Sequence, residues 1–252
     1  MNDLPVLGLM LGDMTGIGPE ISARLLSTDT MKPIARIVVI GDARVLELGR
    51  RDAGVELKWQ TYKNPSAIDW SRPETPLIDL NNIDPATIPR GAVSPESGKQ
   101  AGATLKTMID LALGGEIDAV CFAPLNKAAL HKGGWNYHDE HQMFADLTWH
   151  SGFFGEMNVI KEFATFRVTS HVALREALAM ITTERIMAAV RLADTTLRAE
   201  GVRCSGPVPS DVVFIKALKG DYDGQGKATT GALEQALRIA ASMATARKLA
   251  TA

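Results

Sequence analysis

A chain of 252 residues has room for one large domain or two modest ones, and either size can bury a real core. Hydrophobic residues make up 46% and charged residues 22%, the composition of an ordinary globular protein rather than a disordered or membrane-spanning one. Lys plus Arg number 27 against 29 Asp plus Glu, a net charge of −2, so nothing argues for nucleic acid or for an anionic membrane surface as partner. No apolar run reaches membrane-spanning length. The start carries Asp3 and no basic cluster, which reads against a signal peptide. Cys121 and Cys204 are isolated and suggest no disulfide framework, so the expected location is a reducing cytoplasm.

In chain order, Val6 to Met10 reads as a buried strand, followed by a glycine-rich loop and a helix from Pro19 to about Leu26, where proline's missing N–H costs nothing. Arg36 to Ile40 is a second strand, ending at Gly41-Asp42 before another helix. Leu57 to Tyr62 and Pro76 to Leu80 follow as strands. Ser97 to Leu113 carries apolar residues at helical spacing, and Gly114-Gly115 stops it. Asp118 to Phe122 is the next buried strand, leading into Ala123-Pro124-Leu125-Asn126-Lys127. Four of the five histidines lie between His131 and His150. A strand over Phe163 to Thr169 then delivers His171 to a helix start. Thr182 or Thr183 caps a helix through Arg198, whose Ile186, Ala189, Val190, Ala193 and Leu197 form one face. Val212 to Ile215 is a late strand, and Ala228 to about Leu249 a final helix. Strands alternating with helices predict an α/β fold with a largely parallel sheet.

Three stretches have the strand–loop–helix form that places ligand crevices at strand carboxyl ends, which suggests a single cleft. In Gly12-Asp13-Met14-Thr15-Gly16-Ile17-Gly18 the glycines allow close approach to a ligand, with helix N–H groups facing an anion; the plain structural reading is a tight turn. Its spacing matches neither the dinucleotide fingerprint nor a P-loop. Gly224-Gln225-Gly226-Lys227 also fails the P-loop spacing and reads better as a helix start. Lys127 can hold an anion or move a proton, or be merely solvated. The cluster His138-Asp139-Glu140-His141 suits hydrogen bonding, metal ligation or helix capping, and His131 and His150 read as structural. His171 alone does not make a metal site, which normally takes three or more protein ligands. Asp211 is a turn residue or a supporting carboxylate.

Taken together, GDMTGIGPE at 12–20, APLNK at 123–127, HDE at 138–140, RVTSHVALRE at 167–176 and GPVPSDVVF at 206–214 resemble the 4-hydroxythreonine-4-phosphate dehydrogenase family of vitamin B6 synthesis and its catabolic paralogues. The pieces occur in that family's order over nearly the whole chain. The resemblance implies a three-layer α/β/α protein of two subdomains, similar to the isocitrate and isopropylmalate dehydrogenases. On this chain 1–125 with 225–252 would form the first, and 126–224 the second, carrying the metal and substrate residues and the dimer contact. It also implies a homodimer with shared active sites, a small-molecule substrate, and NAD or NADP as hydride acceptor, with cofactor-binding residues left unassigned. A divalent metal (zinc, magnesium or cobalt) is implied on three histidines, of which His171 matches one. Lys127 and Asp211 match catalytic positions, and His138 and Asp139 the substrate-contacting pair. The implied chemistry is oxidation of a secondary hydroxyl of a hydroxy acid, with loss of carbon dioxide from a β-keto product. A phosphotransferase or acyltransferase on a related scaffold, and a ligand-binding member without activity, stand as alternatives.

The sequence departs from the family in two ways. The asparagine-proline-histidine and tyrosine-histidine-aspartate-glutamine stretches, which bear the other metal histidines, are missing near 202–203 and 224–225, together with the late threonine- and glycine-rich cofactor region. Losing two core strands would expose sheet edges, so the expectation is a chain joined across omitted segments rather than a true deletion. Asp139 stands where the family usually has threonine, and a carboxylate repels a phosphate at close range unless a protonated His141 offsets it. That substitution predicts a paralogue with a different substrate, a sugar-acid derivative or a dihydrodiol carboxylate.

Overall fold

Runs of Val, Leu and Ile without polar alternation demand cover on both faces, and three such runs form the centre of a parallel sheet. The computed structural model describes residues 4–137, 139–159, 164–170, 172–199, 213–216 and 229–251. Strands β1 (Val6–Met10), β2 (Arg36–Gly41), β3 (Trp59–Tyr62), β4 (Thr75–Asp79), β5 (Ala119–Phe122) and β8 (Val213–Lys216) build one six-stranded sheet in the order β3-β4-β2-β1-β5-β8. Every pairing in it is parallel.

Helices cover both faces. Leu7 and Leu9 of β1, with Ala119 and Cys121 of β5, pack on Ile21 and Leu25 of α1 (Gly18–Leu26) and on Leu233, Leu237 and Ala240 of α8 (Gly231–Thr251). Val39 and Leu77 continue that face onto Val45 and Leu46 of α2 (Ala43–Ala53). The alternate residues point the other way, where α3 (Pro95–Leu113) lies close: a Cβ on Gly8 would come within 3.2 Å of Met108. This is the α/β fold with a parallel sheet that the strand–helix alternation predicts, in the three-layer form that the family resemblance implies.

The caps follow from local chemistry. Ser94 accepts from Ser97 N at 3.1 Å, which starts α3 two residues before the predicted Ser97. Asp42 accepts from Arg44 N at 2.9 Å to start α2, and its second oxygen takes Ile83 N at 3.0 Å. Burial raises the Asp42 carboxyl, but the bonds from Arg44 and from the two backbone N–H groups outweigh it and hold it below the usual range.

The chain divides into two units, Met1–Asn136 with Val212–Thr245, and Tyr137–Asp211 with Ala246–Ala252. The second unit holds α5 (Glu140–Leu147), β6 (Met157–Val159), β7 (Ala164–Phe166), α6 (Leu174–Met180) and α7 (Thr183–Ala199). Two expectations change here. The strand predicted over Phe163 to Thr169 is the three-residue β7, which pairs antiparallel with β6 in a separate two-stranded sheet. Half-exposed on both sides, with Arg167 paired to Glu156 at 2.9 Å, it lacks the two-sided burial that a parallel sheet requires. The chain before residue 171 therefore does not end a strand of the parallel sheet. The apolar stripe of α7 is only partly covered: Ala189 is buried, whereas Ile186 and Val190 are 39% and 54% exposed. Thr182 does cap this helix, accepting from Arg185 N at 3.2 Å. Among the described residues no helix is long and apolar enough to cross a membrane.

Candidate active site at the carboxyl ends of β1 and β5

From β1 the chain crosses to β2 on one side, while β5 lies on the other, so the strand order reverses between β1 and β5. In open parallel sheets this reversal opens a crevice beyond the strand ends. A small cleft lies there, lined by Asp13, Thr15, Gly16 and Ile17 from the loop after β1, Gly91, and Pro124, Leu125 and Asn126 after β5.

The two loops are stitched to each other. Asp13 N donates to Pro124 O at 2.9 Å. Gly12 has φ +78°, and a Cβ there would stand 2.5 Å from Pro124 O. At Gly18 a Cβ would meet Leu11 O at 2.2 Å. These two glycines serve the approach of backbone to backbone, so the tight-turn reading holds for them, while Gly16 lines the cleft.

Asp13 is 6% exposed, and its Oδ1 accepts three bonds: from Thr15 N at 3.0 Å, Thr15 Oγ1 at 3.0 Å and Ser97 Oγ at 2.6 Å. A third segment closes the wall, with Gly91 N donating to Thr15 O at 2.8 Å and Arg90 Nη2 to Gly16 O at 3.3 Å. Ser97 and this 90–91 segment escape a sequence reading because their partners lie far away in the chain. Asp13 carried a local signal, the Asp-Met-Thr spacing of a side chain bonding its own backbone two residues on.

Lys127 is the first residue of α4 (Lys127–Lys132), directly after the cleft-lining Asn126, which caps the helix by accepting from Ala129 N at 3.1 Å. A cation at a helix N-terminus opposes the macrodipole, and such a local conflict is expected where function outranks stability. Asp139, in the second unit, caps α5 by accepting from Gln142 N at 2.9 Å, and His141 Nδ1 stands 3.7 Å from the same oxygen. Threonine and aspartate both cap helices, so the substitution preserves the local fold while adding a charge. His138, His171 and Asp211, together with the positions 202–203 and 224–227, lie outside the described residues. Cys121 is fully buried under the sheet, and burial pushes its thiol up to about 12, so it is no nucleophile.

Residues 33–200 match the family described as the pyridoxal phosphate biosynthetic protein PdxA. The chain belongs to the PdxA family. The D-threonate 4-phosphate dehydrogenase of Cupriavidus necator is 32% identical over 261 residues, covering 87% of this chain and 78% of that protein. A Rhizobium meliloti relative, provisionally named a 4-hydroxythreonine-4-phosphate dehydrogenase, is 31% identical over 259 residues, 87% of this chain and 74% of its own. A crystal structure of a 4-hydroxythreonine-4-phosphate dehydrogenase from Burkholderia phymatum superposes with a TM-score of 0.77 at 24% identity, over 96% of this chain and 99% of that one. At that identity it supports the fold alone. Membership places this PdxA-family chain among dehydrogenases rather than transferases.

The alignment also bears on the missing blocks. A stretch of 259 aligned positions exceeds the 252 residues of this chain yet takes in only 87% of it, so part of the relative has no counterpart here. The chain is contiguous through 202–203 and 224–225, which corrects the expectation that segments had been omitted.

Proposed function

We propose that this PdxA-family chain is an NAD(P)-linked dehydrogenase that oxidises a secondary hydroxyl of a small hydroxy acid, with release of carbon dioxide from the β-keto product. The observation that carries this reading is the switch-point cleft, a pre-formed crevice beside Lys127 in a family of dehydrogenases. When bound, the nicotinamide would accept a hydride. Asp13 and Asn126 would face it, and Lys127 would anchor the substrate's carboxylate or move the hydroxyl proton.

Asp139 narrows the substrate. Its carboxylate sits where the N-terminus of α5 would otherwise draw an anion, so the group presented there is a hydroxyl donor rather than a phosphate. A sugar-acid derivative suits this better than 4-phosphohydroxythreonine. His138 and Asp211 complete the proposed set of substrate and catalytic residues.

The donors present do not fit the three-histidine metal site that the family resemblance implies. The chain's five histidines are at 131, 138, 141, 150 and 171, and none follows His171. Among the described residues no group of three or more His, Cys, Asp or Glu is placed to hold a metal ion. Any zinc, magnesium or cobalt ion on His171 would need other donors, and no step is assigned to one.

The uncovered apolar residues of α6 and α7, among them Leu174, Leu178 and Val190 at 77%, 66% and 54% exposure, support a homodimer as the working form.

The test is reduction of NAD and NADP, followed by absorbance, with D-threonate 4-phosphate, its unphosphorylated acid and 4-phosphohydroxythreonine. Turnover of a sugar acid is expected, abolished by Lys127→Ala. Robust turnover of 4-phosphohydroxythreonine overturns the substrate assignment. Dinucleotide binding without reduction by any substrate favours the second reading, a ligand-binding member without activity, to which the missing histidines point.

A further inference from the structure

Four helices of this chain end alike. After α2, α3, α4 and α5 a left-handed residue donates its N–H to the carbonyl three residues back, at 3.1, 3.1, 3.1 and 3.0 Å. The next N–H donates to the carbonyl five residues back, which closes the common two-bond helix stop. Gly54, Gly115 and Gly134 hold the left-handed position in the first three, and Trp149, with φ +53°, holds it in the fourth.

Glycine suits that position because it lacks the Cβ that crowds a left-handed backbone, and a bulky side chain there is strained. Burial gives Trp149 little in return within its own chain. At 83% it is the most exposed large apolar side chain among the described residues. Strain without packing is a conflict that a fold tolerates where the residue serves something outside it.

The surroundings of Trp149 say what that is. Among the described residues twelve large apolar side chains are exposed, and nine of them lie between 149 and 190. The loop after Trp149 runs onto α7: the Arg185 guanidinium lies 5.3 Å from the centre of the Phe153 ring, and a Cβ on Gly155 would touch Leu192 at 3.4 Å. Together the nine present on the order of 900 Å², about 200 Å² of it from Trp149, which matches the roughly 800 Å² that each partner gives a standard interface. That extent fits a protein surface rather than a small molecule. A nucleic-acid strand would need cations around the ring, and the chain's net charge is −2. A symmetric pair offers the same apolar face from both sides.

We propose that Trp149 anchors a two-fold interface between copies of this chain, packing in each protomer against the apolar α6 and α7 surface of its partner. This rests on the homodimer reading above. The experiment is sedimentation equilibrium of the full chain over a dilution series, with tryptophan emission followed alongside.

The wild type is expected to dimerise, and its emission to move to longer wavelength on dissociation as a ring leaves an apolar site for water. Trp149→Gly is expected to weaken the dimer at least about thirtyfold, the loss typical of an interface hot spot. The dissociated Trp149→Gly chain should resist urea as well as the wild type or better, because the left-handed strain is relieved. Trp149→Tyr keeps an aromatic anchor and is expected to dimerise with the emission shift gone. Dimerisation of Trp149→Gly at wild-type strength overturns the anchor and leaves the homodimer standing on other residues. A wild-type emission that stays constant on dissociation does the same. A monomeric wild type overturns both the anchor and the homodimer, and the dehydrogenase reading is independent of either.

Discussion

The two units of this chain spend their apolar residues differently. In the first, the inward residues of β1, β2 and β5 are shielded by helices on both faces, and Leu7, Leu9, Val39 and Ala119 are at 0% exposure. In the second, a two-stranded ribbon has no buried residue, and α6 displays Leu174 and Leu178 at 77% and 66%. A parallel sheet must be covered on both sides to exist, so its unit completes its own core. A short antiparallel ribbon can exist half-wet, so its helices are free to keep apolar surface for a partner. The contrast puts the self-covered core in the first unit and the exposed apolar surface, on which the proposed dimer rests, in the second.

The sharpest way to break this contrast is to truncate one leucine in each unit. Leu9→Ala should cost about 3 kcal/mol in denaturant unfolding, within the usual range for buried leucines, whereas Leu178→Ala should cost less than about 0.5 kcal/mol at micromolar chain. Equal costs would mean that α6 is covered within a single chain.

Asp42→Asn comes next, at about 2 kcal/mol at pH 7, because it weakens the cap of α2 and leaves Ile83 N without its acceptor. The folded-state carboxyl is held below its ordinary 3.8, so its stabilising share is present above that value and is lost as pH falls through the folded one. Wild type and variant should therefore converge in acid; a gap that persists at pH 2 would mean that the bonds, not the charge, matter.

Replacing Leu174 and Leu178 together by Glu should leave helicity unchanged and convert the proposed dimer to monomer in sedimentation; an unaltered dimer would place the interface elsewhere, and a monomeric wild type would remove the dimer proposal. The smallest effect concerns Cys121. Buried beneath the sheet and protonated at neutral pH, it should resist iodoacetamide in the native chain and react fully in denaturant, as read by mass mapping of that residue.

Much of the first unit was legible because its signals are local. The Val6–Met10 run, the Asp42 cap and the helix through Leu113 are each determined by neighbours a few residues apart. The ribbon was not legible: an apolar run of three to seven residues fits either a core strand or a half-exposed one until something covers it. At the site, Lys127 and Asp139 were visible as types at loop-to-helix junctions, but their surroundings were not.

By itself the sequence determined the alternation of strands and helices, the family to which the chain belongs, and the shortage of histidines beyond residue 171. Only the tertiary structure decided that the loop after β1 meets the loop after β5, since that depends on strand order and not on spacing. It also decided that Asp13 Oδ1 accepts from Ser97, 84 residues away, as well as from its near neighbour Thr15. Hydrogen-bond accounting at a buried carboxylate is closed by partners that the chain brings from a distance, and no local window of sequence contains them.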